Sequence, residues 1–102
     1  PVLSPERIRE IVARRWRVRA DALASKRRTK DLTVPRQVAM FLIKEAFDLS
    51  LVRIGEFFGG RDHSTVIHSI RKVEEEMERD PVFRELVHAA REDFTGTDSA
   101  SG

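Results

Sequence analysis

The stretch GGRDHSTVIHSIRKVE, Gly59 to Glu74, decides how the rest of the chain is read. Two glycines suit the left-handed backbone of a tight helix stop, and a new helix opens directly after them. Its first residues, Asp62, His63, Ser64 and Thr65, are all polar, and Asp62 can cap the helix start. At about 100° per residue, Val66, Ile70, Val73 and Met77 fall in one narrow stripe with Ile67 at its margin. That stripe is a core face. Ser64, His68, Arg71 and Lys72 lie on the opposite side and point to solvent or to a partner.

Outward from this helix, the same signals punctuate the chain. Leu51 to Phe58 reads as a short helix that Gly59 and Gly60 end. Asp80-Pro81 starts a last helix with Phe83, Leu86, Val87, Ala90 and Phe94 at helical spacing. Thr33 and Pro35 give a cap-then-proline start for a long helix whose wide apolar face (Val38, Ala39, Phe41, Leu42, Ile43, Ala46, Phe47) makes it the central one. Ser4-Pro5-Glu6 opens a first helix with Ile8, Ile11, Val12 and Trp16 on one side. Val18 to Ala24 is a short helix or turn. Ser25 to Arg36 is a basic loop. No strand-length alternation and no internal repeat occurs, so the expected fold is all-α, a bundle of about six helices containing a helix-turn-helix in a Trp-repressor-like arrangement. Residues 1–17 are expected to join this domain to a preceding one, residues 18–94 to form it, and residues 95–102 to be a disordered tail.

At 102 residues the chain holds one modest core, and its 40% hydrophobic and 35% charged residues are those of a globular domain. No apolar run approaches the roughly 20 residues that span a bilayer. With zero cysteines, disulfides and thiolate metal sites are excluded, and a cytoplasmic, nucleoid-associated location is expected. The start at Pro1 reads as a fragment of a longer protein. The net charge of +2 hides an asymmetry: residues 1–72 carry 16 Lys and Arg against 8 Asp and Glu, a surplus of +8, while residues 73–102 carry 3 against 9, or −6. An anionic partner for the first part follows.

A short helix, a tight turn and a second helix with polar groups at its N-terminus predict an element that enters the DNA major groove end first. Asp62 can accept from a cytosine amino group, His63 and Ser64 can bond base edges, and Thr65 with the first amides can take a phosphate. His68, Lys72 and Lys44 can reach the backbone farther along. The loop with Lys26, Arg27, Arg28 and Lys30 is too basic to be buried, and an arginine arm beside a major-groove helix commonly enters the neighbouring minor groove. A solvated charge run is the plainer alternative for that loop, as an ordinary N-cap is for Asp62.

SKRRTKDLTVPRQVAMFLIKE followed by LVRIGEFFGGRDHSTVIHSIRKVE resembles the C-terminal DNA-binding domain (domain IV) of the bacterial chromosomal replication initiators of the DnaA family. The resemblance runs from about Ser4 to Phe94. It implies binding to short asymmetric boxes of double-stranded DNA at the replication origin and at some promoters, one monomer per box. It also implies that Arg28 is a minor-groove arginine and that Asp62, His63 and Ser64 read bases. Arg36, Gln37, Lys44, Thr65, His68 and Lys72 match phosphate-holding positions, with Ser25, Lys26 and the amide of Leu51 as lesser ones. Ser64 stands where the family more often has threonine, and Val52 where proline is common. The family's parent proteins are ATPases, but this chain has no G-x-x-x-x-G-K-[ST] loop, so no nucleotide or other cofactor is expected here.

Other classes fit less well. Asp62, His63 and Ser64 are triad residue types, yet neighbours in one helical turn diverge and cannot form a nucleophile–base–acid chain. His63 and His68 lie about 140° apart on the helix, which disfavours a shared metal. The first helix, with Trp16 and nearby Arg7, Arg14, Arg15 and Arg17, has the composition of an interfacial helix, and the family's link to acidic phospholipids makes lipid contact a secondary expectation. A palindrome-reading dimer would need a dimerisation arm that the sequence does not display.

Overall fold

Side-chain caps fix the start of most of the helices. The computed structural model describes residues 2–101, with side chains through Thr95. Six helices follow in order: α1 (Pro5–Arg15), α2 (Ala20–Leu23), α3 (Lys30–Ala46), α4 (Leu51–Glu56), α5 (His63–Arg79) and α6 (Pro81–Ser101). No strand occurs among the described residues, so the all-α bundle of about six helices is the fold. Ser4 caps α1, its Oγ accepting from the Arg7 amide at 3.1 Å, with Pro5 in the first turn. The Ser50 hydroxyl caps α4 in the same way, and Asp80 Oδ1 accepts from the amides of Val82 and Phe83 at the start of α6.

The central helix begins earlier than its sequence signals suggest. Thr29, not Thr33, holds the N-cap position of α3, and Thr33 Oγ1 donates back to the Thr29 carbonyl at 3.0 Å. Pro35 lies inside the helix, where its missing N–H forfeits the bond to the Asp31 carbonyl. The turn survives because Leu32 is 2% exposed and docks in the core, and tertiary burial outweighs a local helix penalty. The basic loop is therefore only the short connection between Leu23 and Lys30.

One hydrophobic core joins all six helices. Ile8 and Val12 of α1, Leu23 of α2, Leu42 and Ile43 of α3, Ile54 of α4, Val66 and Val73 of α5 and Val87 of α6 are all essentially fully buried. On α3, Met40 is buried and Ala46 exposed, against the expected face. Residues 1–17 are thus not a mere joining segment: α1 is part of the core. Its apolar face is occupied inside the domain, with Ile8 and Val12 fully buried and Ile11 and Trp16 packed against them, so lipid insertion of that face would require opening the core. Ion pairs tie α6 to its neighbours, Arg15 to Asp93 (2.6 and 2.9 Å) and Arg91 to Glu45 (2.7 and 2.9 Å). α6 continues to Ser101 where a disordered tail is expected from Thr95, because each added residue makes a helical bond without a new nucleation cost; residue 102 lies outside the described residues.

Between α4 and α5 the chain turns on three glycines. The Gly55 carbonyl accepts from the amides of Phe58 (3.0 Å), Gly60 (3.0 Å) and Arg61 (3.1 Å), closing the end of α4. Gly59 and Gly60 have φ of 79° and 78°, in the left-handed region. A Cβ on Gly55 would sit 1.9 Å from the Arg61 carbonyl oxygen, and one on Gly59 would sit 2.2 Å from that of Ala24, whereas one on Gly60 would meet open space. Gly60→Ala should therefore cost about 1–2 kcal/mol from backbone strain alone. Gly59→Ala adds a backbone clash to the same strain and should cost more, about 3 kcal/mol. Urea-unfolding midpoints at constant m-value check the order, which an equal loss at the two positions would refute.

Candidate nucleic-acid interface

The start of α5 and the basic connection meet in one open basin. Its walls come from Lys26 and Arg28 of the connection, Thr33, Arg36 and Gln37 of α3, Gly59, Gly60 and Arg61 of the turn, and Thr65, His68 and Ser69 of α5. Segments more than thirty residues apart in sequence thereby form one surface. The reason is the central position of α3, which packs on α2 at one end and along α5 on another side.

At the helix start, Asp62 is the N-cap. Its Oδ1 accepts from the Thr65 amide at 2.9 Å and from the Ser64 hydroxyl at 2.7 Å. These donors, the Thr65 amide foremost, hold the Asp62 carboxyl below its ordinary pKa. The cap reading and the polar-tip reading are compatible, since Asp62 stays exposed while it caps the helix. The first amides of α5, at His63 and Ser64, have no carbonyl to reach within the helix. His63, Ser64, Thr65, His68 and Lys72 are all exposed, while Lys72 Nζ lies 3.8 Å from the Glu76 carboxylate.

Arg36 departs from expectation. It is 5% exposed, and its guanidinium donates to the carbonyls of Leu23 (2.7 Å), Arg27 (2.9 Å), Ala22 (3.2 Å) and Ser25 (3.2 Å). A side chain so engaged shapes the connection. Burial first, and the nearby Arg61 second, lower its pKa to about 10, so it stays charged at neutral pH. The Ser25 hydroxyl donates to the Ala22 carbonyl at 2.6 Å. The arm is likewise not a loose loop: the carbonyls of Ser25 and Arg27 are both pinned, which leaves Lys26 and Arg28 projecting from a fixed backbone.

Lys44 and Leu51 form a separate cluster outside the basin. Lys44 Nζ donates to the Leu49 carbonyl at 2.9 Å, next to Leu51 at the start of α4. Arg61 is the residue that sequence reasoning missed. Half-buried, it donates to the carbonyls of Ser25 (2.8 Å) and Phe58, and burial and then Arg28 lower its pKa. For Arg36 a signal was present, since it lies in register with Leu32, Ala39 and Ile43 on the buried face of α3. For Arg61 none was, as a turn residue has no periodicity.

Charge pairing is uneven among the arginines. Arg7, Arg15, Arg19, Arg53, Arg79 and Arg91 each hold a carboxylate. Among the described residues, Lys26, Arg28, Arg36 and Arg61 hold none within ion-pair distance. A helix-turn-helix with an open, polar helix start beside unneutralised cations defines a DNA-binding domain rather than a catalytic one. The chain matches the family of the bacterial DnaA protein helix-turn-helix over residues 5–73, from the start of α1 to the middle of α5, and it belongs to that family. The family implies binding of double-stranded DNA in replication initiation. Every residue of the basin falls in the matched span. No described helix is long and apolar enough to cross a membrane.

Two outcomes follow for the free domain. Arg36→Leu should destabilise by about 2–4 kcal/mol in urea unfolding without DNA, since buried carbonyls lose their donors, whereas Lys72→Ala should stay within about 0.5 kcal/mol. A stability loss no larger for Arg36→Leu than for Lys72→Ala would return Arg36 to the phosphate-binding set. Asp62 gives a pH dependence. Because its folded-state pKa lies below the unfolded one, its contribution is complete above the ordinary carboxylate range and is lost as pH falls through the lowered folded value. Thermal melts of wild type and Asp62→Asn between about pH 5 and 2 should diverge least at the acid end.

Proposed function

We propose that this domain recognises short asymmetric boxes of double-stranded DNA, at replication origins and at some promoters, as one monomer per box. The first turn of α5 enters the major groove, and the arm carrying Lys26 and Arg28 lies along the adjacent minor groove. His63 reads a base edge directly. Ser64, whose proton goes to Asp62, presents lone pairs to an amino group, and the second carboxylate oxygen of Asp62 can do the same. Relative to threonine, Ser64 lacks the methyl that would pack on a thymine methyl, which lowers contact there by less than the roughly 1–3 kcal/mol of a bidentate base contact.

Phosphate contacts fall to Lys26, Gln37, Thr65, His68 and Lys72 around the basin and along α5. Lys44 and the Leu51 amide serve a second stretch of backbone. Supporting this reading above all is the sharing of one basin by Lys26, Arg28 and Arg61, cations without carboxylate partners among the described residues, and the first two turns of α5. Repulsion among those cations is relieved when a polyanion arrives, and the pinned arm needs little further ordering.

Selection from a random duplex library, followed by anisotropy titration against the selected box and a scrambled duplex, tests the proposal. A preference of about a hundredfold or more is expected. With Lys26, Lys44 and Lys72 as the three phosphate-contacting cations, log affinity should fall against log salt with a slope of about −2.7. His63→Ala should erode the preference, and Lys44→Ala should weaken both duplexes alike. Equal binding of box and scrambled duplex by the wild type would reduce the domain to a nonspecific cationic binder.

A further inference from the structure

Two guanidiniums converge on the carbonyl of Ser25, one from α3 and one from the turn. Arg36 reaches it at 3.2 Å and Arg61 at 2.8 Å. The two have different reach. The acceptors of Arg36 are Ala22 and Leu23 at the end of α2 and Ser25 and Arg27 in the connection, so it folds the arm onto α3. The other acceptor of Arg61 is the Phe58 carbonyl at the end of α4. Arg61 thus supplies the hydrogen bond that joins the arm to the turn. At the same junction Gly59 lets its backbone lie against the Ala24 carbonyl, a separation that any Cβ would increase. The next residue after Arg61 is Asp62, the cap of α5, so a single peptide bond separates this strut from the start of the reading helix.

We infer that Arg61 is a positioning residue that fixes the spacing and register between the arm and the start of α5, so that both engage DNA as one rigid unit. This rests on the two-groove reading above. The donors of Arg61 point at carbonyls on both sides of the junction, and the arm it holds carries Arg28 three residues beyond Ser25. Without the strut, Arg36 still holds the arm to α3, but among the described residues no other hydrogen bond joins it to the turn. Arg28 would then contact DNA at a variable distance from α5, and its contribution would cease to depend on the helix being in register.

A double-mutant cycle on the selected box reads this coupling. Arg28→Ala should weaken binding by about tenfold or more in the wild-type background and by less than about threefold in Arg61→Gln. A box lengthened by one base pair between the footprints of arm and helix should lose most of its preference for wild type and much less for Arg61→Gln. A role confined to folding would lower the melting temperature and leave the cost of Arg28→Ala unchanged; additive losses overturn the inference. Should Arg61→Gln not fold, Arg61→Lys keeps the charge but cannot bridge two carbonyls with a guanidinium fork, and the same loss of coupling is expected of it. Failure of the wild type to select any sequence would sink the two-groove reading and this role with it. A selected box with additive losses would sink the role of Arg61 alone.

Discussion

The Ser25 carbonyl, accepting from both Arg36 and Arg61, is the point on which the geometry of the interface depends. Burying guanidiniums without a carboxylate is costly, and the lowered pKa of each records that cost. It is offset by a set of charge-assisted bonds to carbonyls at the end of α2 and in the connection. The arrangement converts a run of four basic residues in a six-residue stretch from a solvated coil into a fixed ledge, with side chains outward and backbone inward. Repulsion among Arg28, Arg36 and Arg61 remains in the free protein, and an anion relieves it.

That ledge requires close approach of backbones that side chains would prevent. Gly55 admits the Arg61 carbonyl, Gly59 admits the Ala24 carbonyl, and both contacts are far shorter than a Cβ would allow. The turn glycines therefore do more than permit positive φ. They set the distance between the connection and α5, and Arg61 bonds across the gap they create. Phe58, fully buried beneath, keeps the end of α4 from lifting.

The rest of the domain holds this junction still. α3 packs along α5 and on α1, and α6 is clamped to both α1 and α3 by bidentate ion pairs at positions about one-quarter to nearly one-half exposed. Such pairs contribute little stability individually, but they neutralise arginines on the side away from the basin. Asp93 of α6 meets Arg15, and Arg91 of α6 meets Glu45 of α3, while the cations of the arm keep their field.

Element identity was legible in the sequence because it rests on local rules. Ser4-Pro5, Gly59-Gly60, Asp62 and Asp80-Pro81 mark their boundaries through caps and permitted dihedral angles, and the Val66, Ile70, Val73 stripe follows from helical period alone. The resemblance carried the family and the exposed candidates at the start of α5. Tertiary structure decided the rest. Thr33-Pro35 obeys the local rule for a helix start, yet burial of Leu32 pulls the helix back to Lys30. Arg36 has the chemistry of a phosphate ligand, yet its place on the buried stripe turns it toward carbonyls contributed by another segment. Arg61 acquires its partner from a residue 36 positions away. Local sequence specifies what a side chain can bond, but only the packing of α2, α3 and the turn brings those carbonyls within reach, and that proximity is a property of the whole core.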